Sequence, residues 1–348
     1  MRVLVTGLTG KTGRCFLAEL CRRGLQGNDY RALVRETSDT RAIEQSGLAL
    51  EVCRGDLDRE ADLARALQGM DTVLHIAGIQ KSVPLVRQAR KAGVKWLILV
   101  HTTGIYSKYK RAGEEYRQAE REIAAMLEGT GIALTILRPT MIYGGPDDGN
   151  IAVFIRMMDR LPLFPVVSSG RFALQPVHRQ DLGRAYYDVL ANPETTRGNN
   201  YDLSGAYPID LIDLLRILAD ELGKHTRFVT VPFFLAYAGA WALYLLTFAK
   251  LDLREKVQRL VEPRAYTHAA ASRNFGYAPM DLEAGLRQEV RAVGRNGGSK
   301  KNTAPRGIAA NGGRIDAEHD SVCRNRTAHI FGTPVFRGGQ PCAGAAFL

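Results

Sequence analysis

The first fourteen residues, MRVLVTGLTGKTGR, constrain the chain more than any other stretch. Residues 2–5 form a short apolar run rich in β-branched side chains, a pattern that favours a strand. The run meets glycines at 7, 10 and 13, and residues 15–21 then carry apolar side chains at helical spacing. A strand, a Gly-rich turn and a helix in that order form a dinucleotide fingerprint. Gly7 permits the tight turn, Gly10 lets the backbone approach a pyrophosphate, and Gly13 lets the helix pack closely on the strand. The helix amino terminus offers N–H groups and a positive dipole end to the phosphates. Thr9, Lys11 and Thr12 lie within the same turn and are expected to contact the cofactor.

The first half of the chain repeats this alternation. Strand patterns fall at residues 30–34, 48–53, 72–76, 96–101 and 132–137, with helical stretches between them. Near-continuous apolar strands alternating with helices imply a parallel sheet covered on both faces. The fold class is therefore α/β, a doubly wound Rossmann sheet whose ligand lies beyond the carboxyl ends of the strands. Residues 1–144 are assigned to this domain, with later segments such as 175–190 completing its sheet. Residues 145–294, where the alternation loosens, are assigned mainly to a smaller substrate lobe. Residues 295–348 are rich in Gly, Ala, Asn and Arg, and they bury too little apolar area to offset ordering entropy. They are expected to be a disordered tail.

Charge narrows the partners. The chain of 348 residues has 47 Lys+Arg against 36 Asp+Glu, but the tail holds part of that excess. No basic block is interleaved with aromatics, so the composition argues against nucleic acid and for an anionic small molecule. The five cysteines show neither CxxC spacing nor a paired framework, which points to a reducing compartment. A strand beginning at residue 2 leaves no signal-peptide pattern, and a cytoplasmic location is expected.

The end of the second strand bears on cofactor choice. An acid about 20 residues past the glycines would bind a ribose 2′-hydroxyl, whereas Arg accommodates a 2′-phosphate. Arg35 stands there, followed by Glu36. NADP is the expected cofactor, with NAD the alternative through Glu36. Asp56, in the Gly-Asp-Leu run at 55–57, is placed to reach the adenine edge. Ala77 and Gly78 follow the fourth strand as small lining residues.

As a set, these pieces resemble the short-chain dehydrogenase/reductase superfamily in its extended and atypical branches, the NAD-dependent epimerase/dehydratase-like proteins. The matching stretches are TGLTGKTG at 6–13, GDL at 55–57, VHTTGIY at 100–106, LRPTMIYG at 137–144, QPVHRQDLGRA at 175–185 and RNFGYAPMDLEAGL at 273–286. The resemblance adds Leu57 and Pro139 to the cofactor site. It also implies that a Tyr moves the proton, that a Lys four residues later lowers its pKa, and that a Ser or Thr orients the substrate oxygen. Thr102 and Thr103 occupy the Ser/Thr slot. Tyr106 has Lys110 four residues on but lies close to Thr102, whereas Tyr116 sits at a more family-like distance and has Glu120 in place of Lys. A helix over about 107–128 would carry both pairs. A carboxylate beside a phenol disfavours its ionised form, so Tyr106 with Lys110 is the expected pair. The activity implied is an NAD(P)-dependent oxidoreductase or epimerase acting on a sugar-nucleotide or an apolar carbonyl. Its rival is a catalytically degraded cofactor-binding sensor or assembly subunit.

Other features have plainer readings. His75 and His101 close neighbouring strands without a third ligand, so no metal is expected. Asp181 is expected to cap a helix over 182–190. Residues 228–249 carry no charge and suit a packed or dimer-forming helix, with peripheral membrane contact or a span as alternatives.

Overall fold

The computed structural model describes residues 1–109, 111–248, 250 and 252–298, with side chains described to residue 294. Apart from the backbone of 295–298, the expected tail lies outside the described residues. The first half runs β1 (Arg2–Thr6), α1 (Lys11–Arg23), β2 (Asp29–Val34), α2 (Arg41–Gln45), β3 (Leu50–Arg54), α3 (Glu60–Leu67), β4 (Thr72–His75), α4 (Ser82–Lys91), β5 (Trp96–Val100), α5 (Gly113–Leu127) and β6 (Ala133–Pro139). Next come β7 (Ile142–Tyr143), α6 (Ile151–Arg160), β8 (Leu163–Val167), β9 (Ala173–Leu174), β10 (Val177–His178), α7 (Arg179–Ala191), α8 (Pro193–Thr196), β11 (Asn200–Leu203) and β12 (Ile209–Asp210). The described part closes with α9 (Leu211–Glu221), β13 (Arg227–Val231), α10 (Phe233–Leu246), α11 (Arg254–Leu260), α12 (Ala269–Phe275) and α13 (Leu282–Gly298).

Seven strands form a parallel sheet in the order β11-β6-β5-β4-β1-β2-β3. The strand order reverses between β1 and β4, and such a switch point opens a crevice beyond the carboxyl ends. The last sheet strand is Asn200–Leu203, paired to Pro139 through Leu203. Residues 175–190 do not complete the sheet as expected: they supply β10, which pairs with β7 in a separate two-stranded sheet, and helix α7.

Side-chain alternation along the buried strands builds two layers. Val3, Val5, Ile98 and Val100 point to one face, where Phe16, Leu17 and Leu20 of α1 meet Leu182, Ala185 and Tyr186 of α7. Leu4, Leu97 and Leu99 point to the other, against Leu63 and Leu67 of α3, Leu85 of α4 and Ile123 of α5. Each such residue contributes about 1.5–3 kcal/mol of apolar burial. A separate core joins α6, α9 and α13 through Ile151, Ile155, Leu214, Leu218 and Leu286. The closing segment links both: Phe275 and Tyr277 pack in the first core, Leu282 and Leu286 in the lobe core.

Three local expectations change. The helix expected from 107 begins at Gly113, because Ser107 is extended and its hydroxyl donates to Glu262, 2.6 Å away. Helix α7 starts at Arg179 and is capped by His178, so Asp181 lies in its first turn. There the Asp181 carboxylate accepts from Arg184 and from the Met280 N–H. Finally, the uncharged stretch 228–249 is not one packed helix. Val229, Thr230 and Val231 extend strand β13, Pro232 breaks it, and α10 follows with Ala240 its one buried residue.

Candidate functional site

The crevice at the switch point is a cleft of about 750 Å³. Its floor is the turn between β1 and α1, represented by Gly7, Thr9, Gly10, Lys11 and Thr12. Gly7 has φ +77°, and a Cβ there would stand 2.8 Å from the Ala77 backbone nitrogen. At Gly10 a Cβ would meet the Gly7 carbonyl oxygen at 3.1 Å. A Cβ at Gly13 would sit 2.7 Å from the Leu8 Cα, so this buried glycine packs helix on strand and does not line the cleft. The glycines therefore leave bare backbone facing the cleft above the start of α1, as a pyrophosphate requires.

The remaining walls come from strand ends. Leu33, Val34, Arg35 and Ser38 follow β2; Gly55, Asp56, Leu57 and Asp58 follow β3; Ile76, Ala77 and Lys81 follow β4. Arg35 lines the cleft, and Glu36 is not among its lining residues. Gly78 and Pro139 are also outside the lining: the Gly78 carbonyl bonds the His75 ring at 2.9 Å, and the Pro139 carbonyl accepts from Thr103 at 3.2 Å.

A fourth wall, 144–150, was not expected. It follows β7 and reaches across the mouth, where Asp147 Oδ2 lies 3.4 Å from Lys11 Nζ and Asp147 Oδ1 lies 3.5 Å from Arg179 Nη1. Asp148 holds the loop to α6 by accepting from the N–H groups of Asn150 (2.8 Å) and Ala152 (3.0 Å). The Asp-Asp-Gly-Asn run just before an amphipathic stretch is a capping signal that could have found it. Behind the loop, Glu289 of α13 is 1 % exposed, with no side chain or cation bonded to its carboxyl group and the Gly145 N–H its nearest polar contact. Burial, reinforced by Asp148, raises its pKa to about 7.

None of Thr102, Tyr106 and Tyr116 is among the cleft-lining residues. Thr102 caps the turn Thr103–Tyr106, its hydroxyl oxygen accepting from the Gly104 N–H. Tyr106 ends that turn and Ser107 after it is extended, and Lys110 lies outside the described residues. The Tyr106 hydroxyl donates to Asp202 of β11 at 3.1 Å. Burial raises the Tyr106 pKa, Arg138 opposes the rise and Asp202 adds to it, leaving the phenol at about 12. Tyr116 on α5 is buried beside Ile79 and Ile105, and its hydroxyl accepts from Gln80 at 3.1 Å.

Glu120, one turn beyond Tyr116, faces elsewhere. It forms a two-pronged ion pair with Arg138 of β6, with Oε1 3.0 Å from Nε and Oε2 2.5 Å from Nη2. His101 Nδ1 lies 2.8 Å from the same carboxylate, and its Nε2 lies 3.1 Å from the Ser82 hydroxyl. Burial lowers the His101 pKa despite the Glu120 bond, so the ring is neutral, donating from Nδ1 and accepting at Nε2. Burial works to raise the Glu120 pKa, but the bonds from His101 and Arg138 outweigh it and hold it below the usual range. His75 is likewise absorbed, 2.6 Å from the Thr6 hydroxyl.

With this geometry in view, comparison with known proteins gives the cofactor class, NAD(P). The model of a family described as NAD(P)H-binding matches residues 7–193, from the first glycine of the turn to the end of α7 and beyond. The chain is 24% identical over 315 residues to 4-hydroxy-2-methyl-3-oxo-4-farnesyl-3,4-dihydroquinoline-1-oxide ketoreductase of Stigmatella aurantiaca, covering 80% of this chain and 92% of that one. It is 28% identical over 258 residues to ceramide reductase of Caulobacter vibrioides, covering 66% and 73%. Among solved structures it is similar to dTDP-glucose 4,6-dehydratase of Streptomyces venezuelae, crystallised with NAD and TYD bound. That likeness has a TM-score of 0.66 at 21% identity and covers 86% of this chain and 98% of the other. The Gly-rich turn, the switch-point cleft and the match over 7–193 converge, and the chain belongs to the NAD(P)H-binding Rossmann family.

Proposed function

We propose that the chain is an NADPH-dependent oxidoreductase that reduces the carbonyl of an apolar, lipid-like substrate. The observation that carries the cofactor preference is Arg35 lining the cleft at the end of β2 while Glu36 does not. A guanidinium there makes charge-assisted hydrogen bonds to a 2′-phosphate and leaves a bare ribose unrecognised. When bound, the dinucleotide supplies hydride. The chain's own residues bind and orient it: the backbone at Gly7 and Gly10 meets the pyrophosphate, and Asp56 and Leu57 bound the adenine end. Lys11 and Arg179, now paired with Asp147, add positive charge at the same mouth.

Proton delivery is assigned to Tyr106, at the end of the turn that Thr102 caps. A phenol near pKa 12 is a poor base at neutral pH, but it is protonated and so suits reduction, where the carbonyl oxygen must gain a proton. The substrate class is supported by two relatives whose names specify a farnesylated ketone and a ceramide. A second reading, cofactor binding without turnover, is favoured by one observation: the family's lysine position is Glu120, engaged by Arg138 and His101. Turnover decides between them. Loss of reduced-nicotinamide absorbance is followed with ketones graded in alkyl length. The proposal expects NADPH oxidation to rise with chain length. NADPH binding without oxidation across the panel would establish the second reading.

A further inference from the structure

Helix α10, Phe233–Leu246, is uncharged from end to end, and one side of it has no cover from the described residues. Phe234 is 68% exposed, Leu245 64%, Leu246 77%, and Phe248 just beyond the helix 88%. At 100° per residue, Trp241, Phe234, Leu245, Ala242, Leu235 and Leu246 fall on one arc of about 140°, with Trp241 at its edge, whereas Ala240 lies opposite and is buried. The aromatic side chains nearer the protein turn to α11: the Arg254 guanidinium stands 4.2 Å from the Trp241 ring centroid and 3.9 Å from that of Tyr244.

Basic groups flank this arc. Lys250 and Lys256 are exposed on the segment following α10, and Lys108 and Arg111 are exposed on the loop that docks there. The docking bonds run from Arg111 to Asp252 and from the Lys108 N–H to Glu262 at 2.8 Å. Asp252 is also taken by Arg254, and Glu255 lies 3.9 Å from Arg259. The acids of this region are thus engaged by arginines or backbone, and the lysines are left as surface charge.

We infer that α10 is an interfacial anchor that lies in the surface of an anionic bilayer. A helix of 14 residues is about 21 Å long, short of the ~30 Å hydrocarbon core, and no described helix is long and apolar enough to cross a membrane. Lying flat, it sinks its apolar arc to the acyl boundary while Lys108, Lys250 and Lys256 meet lipid phosphates. A bilayer fits better than a second copy because the apolar arc is bordered by like charge. A second copy would cover the apolar arc but would give the lysines no phosphate to meet.

The test uses the full chain and sedimentation with phosphatidylcholine vesicles, with or without phosphatidylglycerol. The expected result is binding to the anionic vesicles that weakens with salt, releases in alkaline carbonate, and falls on the order of 100-fold in Phe234→Glu/Leu245→Glu. Lys250→Glu/Lys256→Glu, which leaves the apolar arc intact, should cost roughly tenfold on anionic vesicles. Unchanged melting and NADPH binding in both variants establish that they fold, and these readouts test the reductase proposal separately. No vesicle binding by the wild type, equal binding to neutral vesicles, or resistance to carbonate would overturn the inference. So would a dimer that the apolar substitutions dissociate without any vesicle binding.

Discussion

Replacing Glu120 with Gln tests whether this position serves the fold or the chemistry. The Glu120 and Arg138 side chains are 13% and 11% exposed, and they share two bonds. Removing the carboxylate leaves a largely buried guanidinium without its counter-charge, a loss of about 3–5 kcal/mol. Gln keeps one acceptor oxygen, which places the expected loss near the lower end, ~3 kcal/mol. For a domain of this order that lowers Tm by roughly 6–12 °C. The pH dependence follows from the depressed folded pKa. Between that pKa and the unfolded value near 4.3 the unfolded chain holds the extra proton, so the stabilisation is present above that window and lost as pH falls through it. Thermal melts followed by circular dichroism should therefore show the full gap between wild type and Glu120→Gln at pH 7, and a shrinking gap in acid. A loss under about 1 kcal/mol, or a gap indifferent to pH, would refute the reasoning. Glu120→Lys should destabilise further, because it sets an ammonium beside Arg138.

Gly13→Ala places a methyl 2.7 Å from the Leu8 Cα, so NADPH affinity and melting temperature should both fall, by about 1–3 kcal/mol in stability; unchanged melting would mean that the turn yields. Glu289 has a folded pKa near 7, above its unfolded value, so its ionisation costs stability as pH rises from about 4.3 to 7. Glu289→Gln should accordingly raise Tm at pH 8 and change it little at pH 4, in paired melts. Tyr106→Phe should abolish ketone reduction and leave NADPH affinity nearly unchanged, whereas Tyr116→Phe, whose hydroxyl bonds Gln80, should keep most turnover in the same assay.

The sheet was legible because its central strands β1, β4 and β5 are buried on both faces and mostly apolar, and because Gly7, Gly10 and Gly13 stand between a strand and a helix. The strands β7 and β10 were not, since two residues carry no period and their pairing, Ile142 with Val177, is set by tertiary contacts. In 228–249 uniform hydropathy hid a strand and a helix; the β-branched run before Pro232 was the local clue. Glu120 could be read as the wrong neighbour for Tyr116, but its true partner Arg138 stands on β6, 18 residues away. The late start of α5 has the same origin, a bond from Ser107 to Glu262 across 155 positions.

We propose that the switch-point cleft holds NADPH through Arg35. Calorimetric titration of the wild type and Arg35→Asp with NADPH and NADH, at one fixed salt concentration, tests it most directly. The account predicts that the wild type binds NADPH at least about tenfold more tightly than NADH. It also predicts that Arg35→Asp removes or reverses the difference with NADH affinity little changed. Equal affinities in the wild type, or a preference that survives Arg35→Asp, would contradict it.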